Sequence, residues 1–246
     1  AGRVKELWIV DLGRRPYAEA LELQRAVARA RISGDVEQDV LLLVEHNPVI
    51  TLGRASKAGH LLANKEQLAA RGVELFEVER GGDVTFHGQG QLVGYPIIDL
   101  KRHKQDLHWY LRQVEQVLIE ALRPFGIAGE RVEKYTGVWT RGRKIASIGV
   151  HARDWITWHG FALNVSTELS YFDLMVPCGI PEVVMTSVER ELLDRAEGAC
   201  LAPSPDLWNQ VSGSVVSSAA AVLSLKALVR VPMTIETLAA FPTSDL

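Results

Sequence analysis

One cysteine sits where a thiol can do chemistry. Cys178 lies in Met175-Val176-Pro177-Cys178-Gly179-Ile180-Pro181. A buried cysteine is ordinarily a small hydrophobe, but flanking prolines and a glycine suit a rigid, exposed turn that presents its sulfur. Gly179 would offer an unhindered N–H to a developing oxyanion. A free thiol of pKa about 8.5 is only a few per cent thiolate at neutral pH, so a nucleophile here needs a cation beside it. Lys144 and His87 are the candidates. Lys144 opens an apolar run, Ile145-Ala146-Ser147-Ile148-Gly149-Val150, whose small residues leave room for a substrate. A solvated strand end is the plainer reading of the same lysine.

A third segment, Arg80-Gly81-Gly82-Asp83-Val84-Thr85-Phe86-His87-Gly88-Gln89-Gly90-Gln91, carries four glycines among hydrogen-bonding side chains. Such a loop lets backbone N–H groups approach a ligand, or is a tight hairpin with incidental polar residues. Gly88 and Gly90 are followed by Gly94, with no third glycine three residues on and no Lys-Ser/Thr pair. Neither a dinucleotide fingerprint nor a P-loop is present. His46, His87, His151, His159 and Cys178 are ligand types, but no CxxC or HExxH spacing organises them. The expectation is an enzyme without metal or cofactor, against the alternative of a non-catalytic acyl- or metal-binding protein.

The elements that must position these groups read as one mixed α/β (α+β) domain. Strands are predicted at residues 7–10, 40–45, 74–79 and 92–100. A three-strand meander over 138–165 has turns at 141–143 and near Trp158-His159-Gly160. A helix opens at Pro16 and runs to about Arg31. A second, over 105–122, gathers Leu107, Tyr110, Leu111, Val114, Val117, Leu118, Ala121 and Leu122 on one face. Ser204-Pro205-Asp206 starts a third, making about 201–246 an extension packed on a single catalytic domain spanning 1–246.

The 246 residues are 47% hydrophobic with a net charge of -3, enough for a large core and poorly suited to nucleic acid. Two cysteines make no disulfide framework, Cys200 reads as structural, and a reducing compartment is expected. No signal peptide or membrane-length apolar run is read, so the chain is expected to be cytoplasmic and off the membrane.

Taken in order, RGGDVTFHGQGQ (80–91), RKIASIGVHARDWITWHGFALNV (143–165) and PCGI (177–180) resemble the signature blocks of the lipoyl(octanoyl) transferases. Asp11-Leu12-Gly13 with Tyr17, and LLLVEHNPVITLGR (41–54), extend the resemblance over most of residues 7–181. It implies the curved mixed sheet and flanking helices of biotin and lipoate protein ligases. It also implies transfer of an octanoyl group from acyl carrier protein to a lysine of lipoyl domains, those of 2-oxoacid dehydrogenases and the glycine cleavage H protein, by a monomer. By motif, the acyl-thioester cysteine falls on Cys178 and the pKa-lowering lysine on Lys144. Substrate contacts fall on Arg80, Gly81, Gly82, Asp83, Val84, Thr85, Phe86 and His87, on Ser147, Ile148 and Gly149, and on Gly160, Phe161 and Ala162. Gln89 stands where the family usually has proline. Small residues Ala146, Gly149 and Ala162 are read as pocket walls, and the basic runs at 101–104 and 141–143 as steering for acidic partners or as solvated turns. An ATP-dependent ligase on the same fold is the competing reading; it would not need Cys178.

Overall fold

The computed structural model describes residues 5–196 and 204–230. In chain order the elements are β1 (Glu6–Arg15), α1 (Tyr17–Ser33), β2 (Asp39–His46), β3 (Val49–Leu52), α2 (Lys65–Ala70), β4 (Glu74–Glu77), β5 (Val84–His87) and β6 (Gln91–Ile97). They continue with α3 (Leu107–Leu122), β7 (Gly137–Thr140), β8 (Arg143–Arg153), β9 (Ile156–Asn164), α4 (Val188–Arg195), α5 (Leu207–Val222) and β10 (Lys226–Val229).

A seven-stranded sheet runs β10-β1-β2-β6-β9-β8-β7, and a three-stranded sheet runs β4-β3-β5. The first is mixed: β1 pairs parallel with β10 and β2, while β6, β7, β8 and β9 pair antiparallel. β2 shows why its sequence is continuously apolar. Val40, Leu42 and Val44 pack toward α1, through Leu23 and Val27, and Leu41 and Leu43 pack toward α3 and α5. A strand covered on both faces has no polar side to alternate with.

The expected helices are present, with Asp106 capping α3 through the Trp109 N–H (3.0 Å). The extension is integral where it is described: Val211 and Val215 of α5 share a core with Val114 and Leu118 of α3, and β10 completes the sheet edge. The meander at 137–164 is also as expected, with one correction. Its second turn is at Asp154 and Trp155, both at positive φ (50° and 65°), and Trp158-His159-Gly160 lies inside β9. A two-residue turn of type I′ needs positive φ at both positions, and Asp-Trp does not advertise that as Asn-Gly would. Two further differences bear on the site. The glycine-dense segment contains a true strand, β5, and β1 continues past Gly13 by a register shift between Asp11 and Arg14.

Candidate active site

Lys144 is the second residue of β8, and its side chain is fully buried. Lys144 pairs with Trp139 of β7 next to a register shift between Val138 and Trp139, and residues after the cysteine hold its backbone from the other side: the Lys144 N–H donates to Val184 O, and Lys144 O accepts from the Thr186 N–H, both at 2.8 Å. The amine makes no hydrogen bond among the described residues and lies 5.0 Å from the centre of the Trp139 ring, a cation–π distance. Gly137 leaves the space its stem occupies; a Cβ there would come 2.9 Å from Lys144 Cε.

Cys178 occupies a short turn, Pro177–Gly179, in a left-handed conformation (φ 55°, ψ 18°), followed by Gly179 at φ 66°. A non-glycine residue there is strained by about 1–3 kcal/mol and persists only when its surroundings over-determine it. The thiol donates toward Ser147 Oγ at 3.6 Å. Burial by itself would push the thiol pKa up. The Lys144 charge, Ser147 and the Arg80 guanidinium outweigh that and hold it below the ordinary value. Since the amine has no well-formed hydrogen bond, Lys144 acts on the sulfur chiefly as a near charge.

The glycine segment reaches the same place by alternation. Asp83, Thr85 and His87 face a cavity of about 270 Å³, while Val84 and Phe86 face the opposite core, where Phe86 stacks on Tyr171 (4.6 Å). Of the substrate positions expected from the sequence, only Val84 and Phe86 therefore point away from the cavity. The cavity is also lined by Ser147, Ile148, Gly149, Gly160, Phe161, Ala162 and Cys178. Ala146, read as a wall, is instead a core residue with no exposure, because it faces the other side of β8.

Arg80 is likewise committed to the loop. Its guanidinium donates to Thr51 O and Oγ1 (both 2.8 Å), Gly81 O (3.0 Å) and Asp83 O (2.7 Å). Close approach of the loop's carbonyls explains glycines that face it from other segments. A Cβ on Gly149 would lie 2.7 Å from Gly81 O, and one on Gly53 would lie 2.3 Å from Gly82 O. The Gly179 N–H, read as an oxyanion donor, is spent on Val176 O (2.9 Å); of the loop N–H groups at Gly81 and Gly82 that could also serve, Gly81 donates to Val150 O (2.8 Å). Gly82 is the remaining candidate of the three.

A second polar cluster reaches the cavity through His87 and Tyr95. His46 contacts Arg15 O (2.8 Å) and Tyr95 Oη (2.7 Å), and His87 contacts Gln91 Oε1 (2.8 Å). Burial lowers His46 to about 4. Burial, followed by the neighbouring His46, lowers His87 to about 3, so both rings are neutral at physiological pH. Burial also raises Tyr17 to about 12. Among the described residues no group of three or more His, Cys, Asp or Glu side chains could hold a metal ion.

Comparison with known proteins decides the family. The lipoyl protein ligase A/B catalytic domain model matches residues 16–200. The chain belongs to this family. Within it, the chain is 56% identical over 182 residues to an octanoyltransferase of Rubrobacter xylanophilus, covering 73% of this chain and 81% of the relative. It is 50% identical over 181 residues to an octanoyltransferase of Gloeobacter violaceus, with 74% and 79% covered. The fold is that of lipoate protein ligases. The bi-partite ligase of Thermoplasma acidophilum superposes with a TM-score of 0.71 at 14% identity, covering 97% of this chain and 91% of that one.

In this family member the structure places Cys178 and most of the substrate positions expected from the sequence around one cavity, with Lys144 buried next to the thiol; which of them act is not decided by their placement. Sequence reading missed Tyr95, Tyr135, Thr136 and Ile180, which line the cavity from separate elements. Leu107 and Leu111 were placed on the apolar face of α3; the face continues past the core, and these two border the cavity. Cys200 lies outside the described residues.

Proposed function

We propose that Cys178 carries the acyl group as a thioester, with Lys144 as its proton-transfer partner. The overall activity is octanoyl transfer in protein lipoylation, the activity named for relatives sharing about half their residues over most of both chains. The donor is octanoyl-acyl carrier protein. The acceptors are lysines of the lipoyl domains of 2-oxoacid dehydrogenases and of the glycine cleavage H protein. The enzyme works as a monomer in the cytoplasm, where a reducing environment keeps the thiol free; no described helix is long and apolar enough to cross a membrane.

In the first step the Cys178 thiolate forms a bond to the acyl carbon and the donor's carbon–sulfur bond breaks. The departing thiolate takes a proton from the Lys144 ammonium. In the second step the acceptor amine attacks the Cys178 thioester, its proton passes to neutral Lys144, and Cys178 leaves as thiolate. Both groups end as they began. Thioester exchange is nearly balanced and the product amide is the more stable bond, so no nucleotide enters the scheme.

The observation that carries this reading is a buried amine with no hydrogen-bond partner among the described residues, next to a cavity-lining thiol whose pKa it lowers. An octanoyl tail buries about seven methylene or methyl groups, roughly 5 kcal/mol at about 0.8 kcal/mol each. The test is intact mass after incubation with octanoyl-carrier protein in the absence of ATP. An octanoyl adduct is expected on the native enzyme and on Cys200→Ala, and none on Cys178→Ala. Transfer to a lipoyl domain that requires ATP, or an adduct on Cys200, would overturn the scheme.

A further inference from the structure

The left-handed turn at Cys178 and Gly179 is not held by its own short-range bonds alone. A segment far away in sequence frames it. The Val176 N–H donates to His60 O (2.7 Å), the Leu62 and Ala63 N–H groups both donate to Leu174 O (2.9 and 3.0 Å), and Leu61 bridges Met175. The side chain of His60 then turns to Asp83: His60 Nδ1 lies 2.6 Å from Asp83 Oδ2. A carboxylate only accepts, so Nδ1 carries the proton and donates. The other oxygen, Oδ1, accepts the Val84 N–H at 2.7 Å, which fixes the carboxylate to the start of β5.

This pair lies directly under the turn. A Cβ on Gly179 would lie 2.5 Å from Asp83 Oδ2 and 3.1 Å from His60 Cε1. The Gly179 backbone thus rests on the carboxylate and the ring edge at once. Asp83 borders the cavity beside Cys178, yet both its oxygens are engaged and its side chain is only 9% exposed. A side chain so committed is a poor substrate contact and a good support.

We propose that His60 and Asp83 are positioning residues for the nucleophile. Their hydrogen-bonded pair is the floor that keeps Cys178 and Gly179 left-handed, so that the sulfur stays aimed at Ser147 and the Lys144 amine. Without the floor the turn relaxes toward ordinary backbone and the thiol leaves the lysine's field. The inference rests on Cys178 as the nucleophile, and one readout is chosen to be independent of acyl transfer.

The experiment measures two rates on the full-length protein: octanoyl adduct formation from the carrier thioester, and alkylation of Cys178 by iodoacetamide across pH 5.5–9.5. His60→Ala and Asp83→Ala are expected to slow adduct formation about tenfold or more in kcat, with donor KM changed less than about threefold. Their alkylation midpoints should move up toward that of a free thiol. His60→Asn, which returns an N–H donor near the Nδ1 position, should recover to within about threefold of the native rate and restore the midpoint. Thermal unfolding of each variant controls for simple destabilisation. Native rates and midpoints in both alanine variants would overturn the proposal. Equal loss in His60→Asn and His60→Ala would also overturn it, since the donor would then be irrelevant. If the native protein formed its adduct elsewhere, the acyl-transfer reading would fail, while the alkylation midpoints would still report whether the pair positions Cys178.

Discussion

Lys144, buried behind the cavity-lining Cys178, and the ring pair of His46 with the cavity-lining His87 are buried to a similar degree and treated in opposite ways. The two imidazoles have polar partners, and burial pushes both well below the ordinary histidine range, so both are neutral and His87 enters the cavity lining as such. The lysine amine has no hydrogen bond among the described residues, lies 5.0 Å from a ring centre, and depresses the pKa of the neighbouring thiol. Burying a charge without hydrogen bonds costs stability, and the proposed proton-transfer role of Lys144 would account for that cost. Neutral, satisfied groups suit a surface along which an alkyl chain lies.

Replacing Lys144 tests the first half of that contrast and should give the largest effect. Lys144→Met keeps the volume and removes the charge. Adduct formation on Cys178 is expected to fall by about 100-fold or more, the usual scale for losing a proton-transfer group. The iodoacetamide midpoint of Cys178 should rise, because the dominant thiolate-stabilising charge is gone. Resistance to urea should be unchanged or greater, as expected where an uncompensated buried charge is exchanged for an apolar side chain. A variant that is both slower and markedly less stable would show that the amine is structural.

The histidine pair should reveal itself in acid. A group whose folded pKa is depressed binds protons more readily when unfolded, so its contribution is intact above the unfolded value and fades as pH falls toward the folded one. For His46 the window runs from about 6.5 down to about 4. Over that window the loss is about 3 kcal/mol at about 1.4 kcal/mol per unit. Urea midpoints at pH 7, 5.5 and 4.5 should therefore decline, and His46→Asn, which does not titrate, should flatten the decline while starting lower at pH 7. A native protein of constant stability across this range would remove the contrast, since the imidazoles would then not be held neutral by the fold.

How far the sequence foretold these regions follows from the range of the forces involved. Cys178 and Lys144 were legible because their local settings are unusual: a thiol between proline and glycine, and a lysine leading a run of small residues. α3 was legible because its period is regular. The strand at 84–87 was hidden by glycines on both sides, though its alternation of Asp83, Thr85 and His87 against Val84 and Phe86 was in the letters. The His60–Asp83 pair, and the service of Arg80 to Thr51 and its own loop, were not legible. They join residues 23 and 29 positions apart through tertiary geometry alone. The spent N–H of Gly179 was hidden for the opposite reason, since a turn's internal bond depends on dihedrals that Pro-Cys-Gly permits without requiring.

The smallest effect is expected where cations are both exposed and paired. Lys101 and Lys104 lie on the basic run once read as steering for an acidic carrier, but Lys101 Nζ is 4.0 Å from Asp99 and Lys104 Nζ is 3.2 Å from Asp106. The same run holds His103, whose Nε2 lies 2.9 Å from Asp39, and Arg102, which donates to the Glu37 carbonyl, so both lysines of the run already face carboxylates. The 141–143 run is similar: Arg143 meets Glu191 at 2.8 Å and Asp194 at 2.7 Å. A field that is locally offset reaches little beyond the Debye length of about 8 Å at physiological salt, and exposed pairs of this kind contribute about 0–1 kcal/mol. Lys101→Gln combined with Lys104→Gln should therefore change the KM for the carrier donor less than about threefold and leave its salt dependence nearly as it was. A tenfold rise in KM together with a flattened salt dependence would show that these lysines steer the donor despite their partners. Cations near the surface would then rank beside Lys144 as determinants of function, and the distinction between paired and unpaired charge would lose its predictive use here.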